Sequence, residues 1–285
     1  NMPKIVLAPS FIAVMVFVYG FIAWTAWVSL TRSRLMPRYE FDSFIQYERL
    51  AASPRFETAM VNLAIFGTLF IVIAMVLGLL LAILLDQKIR TEGVLRTIFL
   101  YPFALSFIVT GLIWQWILNP DFGVQHVVRG MGFESFTFDP LYNPDIVIYG
   151  VLIAGLWHET GLIMCLMLAG LRGIDEDIWK ASRVDGIPVW KTYLFIVIPM
   201  MRGIFITALV LIASGIIKVY DLIVAQTGGG PGIASEVPAK YVYDAMFLSQ
   251  NLGQGFAAST MMLLSVVIVV VPWAYLEFGG KSRRV

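Results

Sequence analysis

Apolar residues run along this chain in long blocks separated by polar stretches. Six blocks are long enough to cross about 30 Å of hydrocarbon as helices: residues 5–30, 59–85, 97–118, 146–171, 203–225 and 257–278. The polar stretch after Leu85 is short and the others are longer. No Pro/Gly-rich linker divides the sequence, and no internal repeat is evident. The pattern predicts an all-α integral membrane fold of about six transmembrane helices in a single domain, residues 1–285.

Composition supports that class. Hydrophobic residues make up 59% of the 285 and charged residues 14%, against about 25% charge in soluble domains. Mean hydropathy is +0.82. The first block is too long for the apolar core of a cleaved signal and lacks a clear cleavage site. The net charge of +1 gives no nucleic-acid footprint. Cys165 is the single cysteine, so neither a disulfide framework nor a Cys-based metal site is expected.

Basic residues set the expected orientation. With six spans both termini share one side, which holds Lys4, Lys88, Arg90, Arg96, Arg172, Lys180, Arg183, Lys191, Arg202, Lys281, Arg283 and Arg284. The other side holds Arg32, Arg34, Arg38, Arg49, Arg55, Arg129 and Lys240. The larger set predicts cytoplasmic termini and a cytoplasmic 172–202 loop.

That loop has its own pattern. Asp175, Glu176 and Asp177 suit the positive end of a helix dipole, and Asp185-Gly186 suits its end. Pro188 blocks a simple continuation. A second helix is predicted over 189–198, apolar enough to lie along the membrane surface, with Pro199 breaking it before the next span. A helix–turn–helix projecting between two spans reads as a docking element for a soluble partner.

Here the residues resemble a known family. AGLRGIDEDIWKASRVDGIPVWKTYLFIVIP (169–199) is similar to the "EAA" coupling motif of ABC-importer permeases. The matches fall on Ala181, Asp185, Gly186, Ile196 and Pro199. Lys180 stands where the family keeps Glu, and Ser182 where it keeps Ala. FLYPFALS (99–106), LIWQWILNPDFGV (112–124) and KVYDLIVAQTGGGP (218–231) resemble segments of carbohydrate permeases related to the maltose system. The likeness covers most of 59–278.

The resemblance implies a type I ABC importer permease in a prokaryotic plasma (inner) membrane. It implies a second homologous permease, two cytoplasmic ATP-binding subunits carrying ATP and Mg, and an extracytoplasmic sugar-binding protein. It also implies transport by alternating access. No cofactor or metal is expected on this chain, and no G-x-x-x-x-G-K-[ST] occurs in it. Lys180, Ala181, Ser182, Asp185, Gly186 and Pro199 would then couple to the ATPase. Oligosaccharides or glucosides are the favoured solutes, with glycerol-phosphate and polyols as further possibilities.

Ionisable groups inside spans are costly and usually face a cavity or partner. Glu159 and His158 lie in the fourth span, and Lys218 and Asp221 sit three apart in the fifth, where they can pair. Sugars take carboxylates, amides and aromatic platforms, which adds Trp157, Tyr220, Gln226 and Asn62 as candidates for the solute path. Gly228, Gly229, Gly230 and Pro231 form either a flexible loop for the binding protein or a plain tight turn. Gly150 and Ala154, and the cluster Ala213–Gly215, suit close helix packing or a second subunit.

Rival classes fare less well. His158-Glu159 begins like H-E-x-x-H, but residue 162 is Leu, and His126 is in an outer loop. A channel or secondary transporter remains as an alternative that would not require docking helices.

Overall fold

The computed structural model describes residues 2–87, 89–217 and 219–279. The described residues are helical apart from loops and one isolated β-bridge, Thr31 to Phe41. The main helices are α1 (Leu7–Val28), α2 (Pro54–Asp86), α3 (Glu92–Leu100), α4 (Phe107–Ile117), α5 (Val147–Arg172), α6 (Glu176–Val184), α7 (Val189–Met200), α8 (Arg202–Ile216), α9 (Tyr220–Gln226), α10 (Pro238–Tyr243) and α11 (Leu252–Gly279).

Among the described residues α1, α2 and α5 are long and apolar enough to cross a membrane unbroken. Two expected spans prove to be interrupted. The block 97–118 is divided at Leu105–Ser106, where the chain is extended, and the segments on either side meet at 101°. The cause is local: Pro102 sits in a 3₁₀ turn, and the Ser106 hydroxyl accepts from Val109 N and so caps a new helix. The block 203–225 is likewise α8 and α9 rather than one helix.

Pro199 does not break its helix where the pattern predicted. The chain stays helical through Pro199 to Met200 and bends by 69° into α8. A π-turn at Tyr193–Val197 precedes it, with Ile198 N donating to Tyr193 O. The wider turn changes the register just before the residue that has no N–H to give.

The chain forms two compact units, residues 1–61 with 236–285, and residues 62–235. In the first, Leu50, Phe56, Tyr241, Ala245, Ala257 and Ala258 build a core. Phe56 meets the Tyr241 ring edge-on at 5.3 Å, and Gln254 Nε2 donates to the Tyr241 hydroxyl at 2.7 Å. Beside this core lies an ion quartet. Arg55 pairs with Glu236 at 2.9 Å and with Asp244, and Lys240 pairs with Asp244 at 2.7 Å and Glu236 at 3.7 Å. Glu236, Lys240 and Asp244 are spaced i, i+4, i+8, so alternating charge on one helical side was the available sequence signal.

Burial pushes the Asp244 carboxyl up, but the hydrogen bonds and charges of Lys240 and Arg55 outweigh it, and it titrates below the ordinary value of 3.8. A lowered folded-state value means that the stabilisation is complete above the ordinary value and is lost as pH falls below it. Acid unfolding of detergent-solubilised protein should therefore steepen below about pH 4, and Asp244→Asn should flatten that limb. Arg55→Ala leaves two buried carboxylates to share one lysine. It should cost about 2–3 kcal/mol, less than for a fully buried pair because Arg55 is partly solvated.

The second unit packs through small residues. An added Cβ at Gly155 would sit 2.7 Å from the Phe70 ring, and one at Gly111 would sit 2.7 Å from Ala225 Cβ. With no water to expel between helices in lipid, such close approach supplies the contact energy. Gly150 and Ala154 also serve internal packing: Ala154 is fully buried and Gly150 abuts Pro140 and Leu141. Gly215, by contrast, faces open space.

Candidate functional site

The polar loop folds as a capped helix, a glycine turn and a second helix. Asp175 begins α6 by accepting from Asp177 N at 2.9 Å. At the other end Gly186 adopts φ +68°, Gly186 N donates to Arg183 O, and Ile187 N donates to Ser182 O. This paired closure is the Schellman arrangement, which needs a left-handed residue at the first position past the cap. Asp185 and Val184 are left exposed at the tip, Val184 by 87%.

Both departures from the family pattern have a structural account. The Ser182 hydroxyl is buried and lies 2.6 Å from the buried Thr192 hydroxyl, joining α6 to α7. Alanine would leave Thr192 without this partner. Lys180 turns to its own helix, 2.9 Å from Asp177 and 3.9 Å from Glu176, so its charge is balanced where the family has Glu. Trp179 and Tyr193 add an edge-on contact at 5.1 Å between the same two helices. A cleft of about 540 Å³ opens beside them, lined by Asp86, Gln87, Trp179, Lys180, Arg183 and Tyr193.

The candidate path residues are not gathered into one site. His158 is buried, with Nδ1 3.1 Å from the Thr110 hydroxyl and its ring 4.3 Å from Phe107, so it ties α5 to α4. Gln226 is buried and donates to Gly150 O, and Asn62 donates to Ala234 O at 2.8 Å. Trp157 is half-exposed and stands edge-on to Trp114 at 6.0 Å. Tyr220 and Asp221 open α9, where Asp221 is exposed; Lys218, its expected partner, lies outside the described residues.

Glu159 lines a cavity of about 30 Å³ with Phe66, Phe70, Phe107, Gly155 and Ile212. That space suits about one water, whereas small-molecule sites need about 300 Å³ or more. The cavity at Glu159 is therefore too small for a sugar.

The glycine stretch is a hydrogen-bonded turn. Ser235 N donates to Gly229 O, the Ser235 hydroxyl donates to Gly230 O at 2.8 Å, and Thr227 and Ser235 hydroxyls meet at 2.7 Å. Gly228, Gly229 and Gly232 have positive φ, and the Gly230–Pro231 bond is cis.

Residues 74–278 match the protein family described as "binding-protein-dependent transport system inner membrane component". The chain belongs to this family. It is a multi-pass membrane permease, a transport subunit rather than an enzyme. A probable ABC transporter permease protein of Pyrococcus horikoshii is 35% identical to it, over 99% of this chain and 98% of that one. The xylose/arabinose import permease protein XacH of Haloferax volcanii is 31% identical, over 95% and 86%. The trehalose/maltose permease MalF of Thermococcus litoralis is 27% identical, over 98% and 94%. In fold, the permease resembles a chain of a bacterial ABC transporter that imports the acidic polysaccharide alginate, with a TM-score of 0.80 at 19% identity over 100% and 96% of the two chains.

Sequence reading missed one feature of the permease beside its loop. Arg172, the last residue of α5, reaches Glu92 at 2.9 Å and Asp86 at 3.5 Å, tying together the ends of α2, α3 and α5. A basic residue closing a span, with carboxylates at both ends of the short loop after Leu85, was the available sequence signal. The contact joins segments 80 residues apart, beyond any local periodicity.

Proposed function

We propose that this permease forms half of the translocation pathway of an ATP-driven sugar importer and passes ATPase motion to its spans through residues 172–202. The observation that carries this is the built coupling loop: α6 is capped at both ends, carries Ala181, Val184 and Asp185 on exposed positions, and is tied to α7 by Ser182–Thr192. A rigid projecting helix can be pushed as a body, and α7 is joined to α8 through the single residue Met201.

A second homologous permease completes the pathway, which fits a cavity at Glu159 too small to hold a sugar by itself. Two ATP-binding subunits hold ATP and Mg and dock at α6, and an extracytoplasmic sugar-binding protein delivers solute. Relatives that are xylose/arabinose, trehalose/maltose and sn-glycerol-3-phosphate permeases favour carbohydrates and related polyols. A related solved alginate transporter was captured with a pentasaccharide-bound periplasmic protein. Both termini face the cytoplasm, and transport proceeds by alternating access. Glu159, His158, Trp157, Tyr220, Asp221, Gln226 and Asn62 contribute polar and aromatic groups to the path, His158, Gln226 and Asn62 while also holding bonds to Thr110, Gly150 and Ala234. The turn Gly228–Pro231 offers backbone to the binding protein.

Reconstituted with its partner subunits in vesicles, the permease should support sugar uptake that requires ATP and the loaded binding protein. Glu159→Leu should cut uptake while ATPase subunits still co-purify. Uptake by this chain alone, without ATP, would overturn the proposal.

A further inference from the structure

The two sides of α7 differ. One side is pinned: Thr192 and Val197 are buried, Thr192 lies against Ser182, and Tyr193 rests on Trp179. The other side carries Trp190, Leu194 and Phe195, which are 57%, 53% and 70% exposed. Trp190 and Leu194, four apart, share a helix side, and Phe195 is the next residue along. An exposed apolar stripe of this kind marks an interaction surface. α7 passes through the single residue Met201 into α8, bent by 69° from it. α8 opens the apolar block 203–225, so a helix bent this far from it is turned away from the direction of that block. On the same side Lys191 Nζ stands 5.4 Å from the Trp190 ring centroid. Indole and ammonium together suit the boundary where hydrocarbon meets charged headgroups.

We propose that α7 is an in-plane lipid anchor. Trp190, Leu194 and Phe195 enter the headgroup–acyl boundary of the leaflet on the coupling side, and Lys191 meets anionic phosphate headgroups. The occupant is phospholipid because the stripe is continuous, through one residue, with α8, an apolar helix of a membrane permease. The charge fits as well: a lone cation borders an otherwise uncharged face. Since the opposite side of α7 is joined to α6, the bilayer braces the coupling loop when a partner pushes on it. Only this bracing rests on the docking role; the lipid contact stands without it.

Cys165 is the only cysteine, so Cys165→Ser with Leu194→Cys accepts one environment-sensitive fluorophore. In vesicles of phosphatidylethanolamine and phosphatidylglycerol its emission should shift to the blue. A nitroxide near the headgroup end of the acyl chain should quench it more than one near the tail, and aqueous iodide should not. Lys191→Glu should weaken that quenching most where phosphatidylglycerol is abundant. A water-like emission overturns the proposal. So does a probe shielded only when a second permease or an ATPase is added, since the occupant is then protein. Leu194→Asp with Phe195→Asp should abolish most uptake while the ATPase subunits still co-purify. Their dissociation would assign the face to docking and overturn the lipid contact.

Discussion

Gly186→Pro is expected to leave the permease in the membrane, to release the ATPase subunits on purification and to abolish uptake. Gly186 has φ +68° and donates to Arg183 O. Proline fixes φ near −65° and has no N–H. The substitution thus removes both the left-handed turn and one of the two bonds that close α6, and Ile187 N loses its approach to Ser182 O. The tip bearing Val184 and Asp185 would be re-aimed, while the spans, whose packing does not involve Gly186, would remain. Gly186 meets no neighbour within 4 Å, so the space alone would accept a side chain. Gly186→Asn, which tolerates the left-handed region better than most residues, should therefore keep most of the co-purification. If Gly186→Pro co-purified normally and supported normal uptake, the docking role would be refuted.

Gly161→Val should act oppositely, on folding rather than on coupling. A Cβ at Gly161 would collide with the carbonyl of Phe99 and lie 3.1 Å from Leu100 Cα. These are backbone atoms at the end of α3, which cannot rotate away as a side chain can. Inserting atoms into a packed core costs about 1–3 kcal/mol when side chains can adjust. Against backbone the cost should be at the top of that range or above it. The expected result is a severe loss of monodisperse protein by size-exclusion chromatography and a lower midpoint of thermal unfolding, with Gly161→Ala intermediate. Wild-type yield and stability for Gly161→Val would show that α3 and α5 are not in contact as described.

The interrupted spans show where pattern reading stops. Residues 97–118 look like one apolar block because hydropathy counts side chains and ignores backbone bonds. The 101° bend is set by Pro102 and the Ser106 cap, two residues that barely alter the hydropathy of the block. Pro199 misled in the other direction: the residue usually read as a stop lies within a helix because a π-turn precedes it. His158 is a similar case. An ionisable group in a span invites a functional role, yet the structure places it between Thr110 and Phe107, a juxtaposition across 48 residues that no spacing rule encodes.

The sequence by itself determined that this chain is a membrane helix protein and where the first helix of its 172–202 loop begins and ends. Long apolar blocks have one stable form in lipid, and Asp175, Asp185-Gly186 and Pro188 act on their immediate neighbours. Local signals of that kind survive in the one-dimensional string. Only the tertiary structure decided the rest: that Ser182 finds Thr192, that Lys180 folds back onto Asp177, that Arg172 gathers Glu92 and Asp86, and that Glu159 looks into a space too small for a sugar. Each depends on segments brought together by packing, and side-chain pairing across space is not periodic along the chain.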